Sequence, residues 1–565
     1  MKNKMRVADY VASFLFSKNV RNIFMLTGYG AMYLNDAIKK KGIKHYAARN
    51  EAAAPMMAEA YARLNGTIGA VCVTAGPGAT NSVPGLAEAW VDSAPIMIFS
   101  GQVEKKQTTN YLKIKNLRTY GTAEINIVPI VKPLTKFAAV INNANDIKYL
   151  LEKAFYFCTN GRTGPVWLDI PLDIQNKIID INKLKSFKPP FSKKKLTKNN
   201  NKAKIKKLIK LIQKSKTPIL VVGNGVRQSG TLKYLKKTIE YLKIPVFFSR
   251  LGQDLISHDK KYIFGQAGVK GSKYCKQIMQ KSDLLISFGS RLAVQFTGLN
   301  FESLDKNCKI CMIDVDKSEI KKTKPFLSIQ DDLKNFFPDF NLELFKNKKN
   351  YNHVAWLRWC EQEKKNNPLS FSKKDPIDLY NFMERLGELS PRNSCLITDA
   401  GSNYYIGGQV WKFKKSQREL TSGCNAAMGL TIPLAIGASV SKPKMDVLAV
   451  TGDGSLELNI QELKTIAHYN LNIKLFVINN GGYVSMINWQ DTVFSGRRLD
   501  TKKLTGAGTL NLKKISNAFD LKWCKIEKSQ NIDKDIKNIL KIKGPLFVEV
   551  FTDNMQKIIS GFKNE

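Results

Sequence analysis

Three doubly wound α/β domains are the architecture this sequence predicts, and three observations predict it. Short, continuous apolar runs recur from residue 69 to residue 550, and stretches of helical periodicity separate them. Such runs read as strands of parallel sheets covered on both faces. Two polar stretches, 181–204 (rich in Lys, Asn and Pro) and 346–376 (with Pro368 and Pro376), read as linkers and leave blocks at about 1–180, 200–345 and 370–560. The length agrees, because 565 residues exceed what a single core sustains.

The predicted strands fall three to a block. They are 69–75, 95–99 and 165–170, then 218–222, 283–288 and 310–315, then 446–451, 474–478 and 545–550. An apolar share of 43% is ordinary for a globular protein. No apolar run reaches the roughly 18 residues of a membrane span, and the opening residues lack a signal peptide's apolar stretch. Nine scattered cysteines read as reduced thiols. These features predict a cytoplasmic protein with no membrane partner.

The net charge of +42 raises the question of nucleic acid. Its lysines argue against that partner. Lys193, Lys194 and Lys195 sit in the first linker, while Lys206, Lys207, Lys236 and Lys237 sit on amphipathic helix faces. No Arg-aromatic interleaving suggests a base-stacking platform. The charge remains available for steering anionic substrates.

In the first block, the Ala-rich stretch after Arg49-Asn50-Glu51 reads as a helix with Glu51 at its start, where an acid ordinarily complements the helix dipole. Thr74-Ala75-Gly76-Pro77-Gly78-Ala79-Thr80-Asn81 follows the first predicted strand, and its glycines allow a tight turn or close approach to a ligand. The middle block carries Gly223-Asn224-Gly225, Gly289-Ser290-Arg291 and Asp314-Val315-Asp316 at strand ends. Cys308 and Cys311 have CxxC spacing without a second pair, too little for a metal.

The third block carries the decisive pattern. Strand 446–451 runs into Gly452-Asp453-Gly454-Ser455, and strand 474–478 ends in Asn479-Asn480. The carboxyl ends of strands in an open α/β sheet are where ligands bind. Asp453 and Asn480 offer hard oxygens from such ends, which suits octahedral Mg²⁺ completed by phosphate and water. Gly-Asp-Gly alone is a common turn; followed by Asn-Asn 27 residues after the Asp, with a strand before each, it is the thiamine diphosphate signature.

From Gly452 to Leu463, then Asn479-Asn480, Trp489-Gln490 and Phe494 to Arg497, the chain resembles the acetohydroxyacid (acetolactate) synthase family, and the resemblance extends over nearly the whole length. It implies pyrimidine-binding, central and diphosphate-binding domains. It implies that Asp453, Asn480 and the Gly482 carbonyl hold Mg²⁺. Gly401, Ser402, Asn403, Gly452, Gly454, Ser455, Gly482 and Tyr483 would bind the diphosphate end, partly at a helix N-terminus. Ala426 and Met428, in Thr421 to Gly429, would hold the cofactor's middle, with Met428 bending it and the Ala426 carbonyl accepting from N4′. Gly28, Tyr29, Gly30, Thr74, Gly76, Pro77 and Asn81 would line the pyrimidine side, where Glu51 exchanges a proton with N1′. Trp489 and Lys136 fall on substrate-facing positions of the family. Because the family draws the glutamate and the metal site from different subunits, a homodimer or homotetramer is implied.

In that family the central domain binds FAD; here the glycine turns fit either a flavin or an unused dinucleotide fold. Three departures stand out. Gln295 replaces an arginine that faces the second oxo acid's carboxylate, and an amide cannot make the same charge-assisted pair. Gly121-Thr122-Ala123-Glu124 lacks the family's active-site glutamine, and Ser485 stands in place of a methionine. The resemblance therefore implies cleavage of a 2-oxo acid, pyruvate by default, and ligation of the acyl fragment to a second oxo acid, an aldehyde or a keto-sugar. A simple decarboxylase is the alternative, weakened because the four histidines are never paired. A non-catalytic binding or regulatory homologue is opposed by the intact Glu51, Asp453 and Asn480.

Overall fold

The computed structural model describes residues 3–190, 194–346 and 351–559. It contains three six-stranded sheets, each parallel throughout and flanked by helices. The first comprises Asn22–Met25, Lys44–Ala47, Gly69–Val73, Ile96–Gln102, Phe137–Val140 and Val166–Pro171, and the third Ser394–Thr398, Arg418–Leu420, Asp446–Gly452, Ile473–Asn479, Trp523–Ile526 and Leu546–Phe551. Counted along the chain, both run in the order 2-1-3-4-6-5. The second sheet, from Pro218–Val222 to Leu327–Gln330, runs 3-2-1-4-5-6, the dinucleotide-binding order. A two-stranded antiparallel pair, Lys4–Arg6 with Ile178–Asp180, ties the start of the first domain to its end.

All nine predicted strands are present, and they occupy the third, fourth and fifth places across each sheet. Those places are covered on both faces, so their sequences are apolar without alternation. The remaining strands are short or flank the sheets.

Both predicted linkers carry more structure than expected. A helix, Lys194–Lys214, begins inside the stretch 181–204 and buries Ile205, Leu208, Ile209 and Ile212 against the second domain. Lys193 and residues 347–350 lie outside the described residues. Within 346–376, the helix Val354–Asn366 packs Trp356, Leu357 and Cys360 on the same domain. In both, apolar residues at helical spacing override the polar composition.

The first and third domains meet along one helix pair, Ala53–Asn65 against Thr431–Ser441. A Cβ at Gly437 would stand 2.1 Å from the Met57 carbonyl oxygen, so the approach of the two backbones depends on glycine there. Charges lock the second and third domains together. Arg418 and Arg227 both pair with Asp254, and Arg250 pairs with Glu419.

Candidate active site

In a doubly wound sheet the strand order reverses at one point, and ligands bind beside it. In the third domain that point lies between Ser394–Thr398 and Asp446–Gly452, which deliver Asp399 to Asn403 and Asp453 to Ser455. Asp453 is buried, and burial pushes its carboxyl up to about 6. Backbone amides oppose that shift. Gly454 N donates to Oδ1 at 2.9 Å, while Gly481 N and Gly482 N donate to Oδ2 at 3.0 and 3.2 Å. The following strand in the sheet, Ile473–Asn479, brings Asn480 to the same edge, where its buried Oδ1 has no partner among the described residues.

The glycines around this turn have separate reasons. Gly481 and Gly482 hold φ of 75° and 136°, which only glycine adopts easily. At Gly454 a Cβ would collide with the Tyr483 ring at 2.1 Å, whereas nothing crowds Gly452. Gly401 (φ 81°) opens the helix Ser402–Val410. The side chains beside it are largely engaged: Asn403 Nδ2 donates to the Val450 carbonyl at 2.8 Å, and Ser455 Oγ donates to Asp399 at 2.5 Å while accepting from Gly429 N. A helix start leaves its first backbone amides without intrahelical acceptors, an arrangement that suits an anion. Asp399 was not singled out from the sequence, although it orders the whole edge by accepting from Asn403, Thr451 and Ser455. Its signal was available, since it too follows directly on an apolar strand.

The first domain builds its own edge at the equivalent point. Gly28, Tyr29 and Gly30 follow its first strand, and Thr74 to Pro77 follow its third. Gly30 N donates to Thr74 Oγ1 at 3.0 Å, and a Cβ at Gly28 would overlap the Thr74 side chain. Gly76, at φ 56°, admits the Ala123 carbonyl, which a Cβ would meet at 2.2 Å. The tight turn at Gly76 thus receives the protein's own loop 104–124. That loop is stapled by buried Glu124, which accepts from Thr109 N, Thr109 Oγ1 and Tyr120 N.

Glu51 stands just before the helix Ala53–Asn65, and Asn81 Nδ2 donates to its Oε2 at 2.8 Å. A third-domain residue, Glu462, accepts from the amides of Arg49 and Asn50 at 2.7 and 3.0 Å and so fixes the approach to Glu51.

Other residues singled out from the sequence lie in several places. Ala426 and Met428 lie in the segment Thr421 to Gly429, where Ala426 takes φ 50°. Trp489 projects from the helix Val484–Phe494 and is 63% exposed. Ser485 Oγ lies 4.0 Å from where a Cβ on Gly401 would be, so these two segments are neighbours. Lys136 Nζ donates to the carbonyls of Asn160 and Arg162, which ties it to the backbone of a neighbouring loop. Gln295 lines a cleft of about 390 Å³ beneath the second sheet's reversal point, together with Gly225, Gly289, Arg291 and Asp314. The same cleft reaches Asp92 and Gly423, the latter within the Thr421–Gly429 segment.

Cys308 and Cys311 are isolated thiols, both pushed up to about 12 by burial. Among the described residues no group of three His, Cys, Asp or Glu side chains is placed to hold a metal ion. A metal at Asp453 therefore has to be completed by amide, backbone and phosphate oxygens.

Two like-wound domains with cradles at matched points, around a dinucleotide-type third, define the class. The descriptions "Thiamine pyrophosphate enzyme, N-terminal TPP binding domain", "central domain" and "C-terminal TPP binding domain" match residues 5–127, 205–339 and 399–550. Over 561 residues the chain is 30% identical to "Acetolactate synthase 1, chloroplastic" of Nicotiana tabacum, spanning 98% of this chain and 82% of that protein. It is 30% identical over 571 residues to "Acetolactate synthase large subunit" of Haemophilus influenzae, spanning 98% and 96%. The chain belongs to the acetolactate synthase family of thiamine pyrophosphate enzymes.

Proposed function

We propose that the protein cleaves a 2-oxo acid, pyruvate first, and joins the acyl fragment to a carbonyl acceptor. The observation that carries this reading is the third-domain edge, where an orphaned amide oxygen on Asn480 stands beside an amide-bonded carboxylate on Asp453. A buried oxygen without a partner costs about 1–3 kcal/mol, so it fits a ligand that satisfies it. Asp453, Asn480 and the Gly482 carbonyl suit Mg²⁺, with the amides near 401–403 and 482–483 left for a diphosphate.

Thiamine diphosphate, when bound, supplies the electron sink that cleavage next to a carbonyl requires. The protein's own residues then have assignable tasks. Glu51, oriented by Asn81, holds and returns a proton at ring N1′. The Ala426 carbonyl accepts from the ring's amino group, and Met428 supports the bent conformation. Trp489 and Gln295 shape the substrate space. A neutral Gln295 favours an aldehyde or keto-sugar acceptor over a second carboxylate.

A second copy of the chain completes each site in this reading. Tyr29 and Trp489 are 73% and 63% exposed, and Leu458, Met486, Val493 and Phe494 are exposed beside the catalytic segments. Apolar groups gathered at a catalytic edge fit an interface. A homodimer or a homotetramer of such dimers follows.

The central cleft supports FAD as a further ligand, through its dinucleotide strand order, the contact of Gly225 with Gly289, and Asp314 at a strand end. Flavin absorbance co-purifying with the protein checks that assignment. All nine cysteines are free, in keeping with the cytoplasm, and no helix among the described residues is long and apolar enough to cross a membrane.

The test is turnover of pyruvate by purified protein with thiamine diphosphate and Mg²⁺, with products identified by mass spectrometry. Carbon dioxide with a ligated product is expected once an acceptor is present. Carbon dioxide with free aldehyde under every acceptor tried would replace ligation by simple decarboxylation, and no turnover of any 2-oxo acid would overturn the reading.

A further inference from the structure

We infer that Glu88 and Asn425 form a positioning pair that sets the direction of the Ala426 carbonyl, and with it the state of the cofactor's aminopyrimidine ring. The inference rests on thiamine diphosphate binding here, as proposed above. Ala426 adopts φ 50°, a left-handed conformation that costs a non-glycine residue roughly 1–2 kcal/mol and persists only when its surroundings impose it.

Those surroundings are specific. Gly423 N donates to both carboxylate oxygens of Asp92 at 2.9 Å. Two residues on, Asn425 Nδ2 donates to Glu88 Oε2 at 2.8 Å. Next, Ala426 N donates to Ser422 Oγ at 2.7 Å. Glu88 and Asp92 are one turn apart on and just past the helix Val83–Val91, so they face the same way. The two acids thus hold Gly423 and Asn425 across the bend at Gly423 and Cys424.

Glu88 is fully buried, yet only one of its oxygens is bonded; Oε1 has no partner among the described residues. Burying a carboxyl group with one oxygen unmet costs stability, which points to position as what this side chain supplies. Asn425 by contrast is exposed in the single chain. Glu88 thus acts as a fixed anchor and Asn425 as the movable arm that it holds. Neither side chain needs to touch the substrate.

Three variants test the pair: Asn425→Ala, Glu88→Ala and the exchange Glu88→Gln with Asn425→Asp, which keeps net charge and restores the hydrogen bond with its polarity reversed. Asn425→Ala carries the test if Glu88→Ala fails to fold, because residue 425 is exposed. The single variants should lower kcat about ten- to a hundredfold, as expected for losing a hydrogen bond to a charged group. They should change KM little and shift the circular dichroism signals of the bound cofactor's amino and imino forms. In protein without cofactor, amide exchange at Ala426 should be faster in each single variant and slow again in the exchange variant.

Wild-type kcat, cofactor spectrum and Ala426 exchange in Asn425→Ala would overturn the pair, as would an exchange variant no better than the single variants. If wild-type protein shows no cofactor signal at all, the cofactor reading falls and the pair's proposed role falls with it, whatever the amide exchange shows.

Discussion

The first and third domains wind their six strands in one order and then put opposite chemistry at the same place. At the first domain's reversal point, glycines admit the protein's own atoms: Gly28 packs on the Thr74 side chain, and Gly76 receives the Ala123 carbonyl. The outcome is a closed turn that steadies Asn81 against Glu51. At the third domain's reversal point Gly482 likewise admits a backbone carbonyl, that of Thr501, but Asp453 is bonded only by amides and Asn480 Oδ1 by nothing described. One fold thus supplies an acid held in place and a cradle held open. The difference lies in a few strand-end residues, in keeping with function residing in sites placed on folds.

The sharpest way to break this comparison is to disable each edge separately. Asp453→Ala should abolish metal-dependent uptake of thiamine diphosphate, read by calorimetry, and with it all turnover. Glu51→Gln should still take up cofactor but lose about 10²- to 10⁴-fold in turnover, the usual worth of a positioned acid-base group. If Glu51→Gln instead loses cofactor binding while Asp453→Ala keeps it, the two edges have been assigned the wrong way round.

The same two variants test whether the edges come from different chains. Each variant alone is inactive, but mixing them after dissociation should recover about one quarter of wild-type activity. Random pairing makes half the dimers mixed, and each mixed dimer carries one intact site of two. No recovery under conditions that demonstrably exchange subunits would place both edges in one chain.

How far these edges could be read from the sequence differs between the domains. The cradle was legible because Gly-Asp-Gly and Asn-Asn both sit directly after apolar strands, and central strands covered on both faces announce themselves. Glu51 was legible through its helix. What remained hidden was contact between distant segments. Nothing local in Val83 to Asp92 says that Glu88 and Asp92 clamp residues 423 and 425, or that Glu462 fixes the backbone leading to Glu51. The reason for Gly76 was equally hidden, since a turn glycine does not show what approaches it. Composition misled at 194–204 and 354–366, where polar segments belong to helices that pack apolar residues on the second domain.

A smaller effect sharpens the contrast between a closed turn and an open cradle. Gly76→Ala forces a Cβ into the Ala123 carbonyl and strains a φ of 56°, which should cost about 1–3 kcal/mol in stability. Gly452→Ala meets nothing within contact distance and should cost less than about 1 kcal/mol. Urea unfolding of the two variants checks this. Equal costs would mean that loop 104–124 yields freely, and that the first edge is not closed.

A pH-dependent effect concerns the seam that joins the two domains. Glu59 is fully buried on the helix Ala53–Asn65 and bonded to Arg63 at 2.8 Å, and Arg63 also donates to the third-domain carbonyl of Thr421. Burial, with Asp92 and Glu88 close by, pushes the Glu59 carboxyl up to about 8 against the pull of Arg63. A carboxyl raised on folding keeps a proton that the unfolded chain releases. Its contribution is therefore most favourable below the unfolded value of 4.5 and is lost as pH rises towards 8. The slope from this one group is at most about 1.4 kcal/mol per pH unit. Glu59→Gln removes the titration while keeping the shape, so urea midpoints of the variant should fall less steeply with pH than those of the wild type. Asp92, raised by burial to about 6, leaves a residual slope in the lower part of the range. Parallel curves for both proteins from about pH 5 to 8 would show that Glu59 is charged throughout and that Arg63 outweighs burial at this seam.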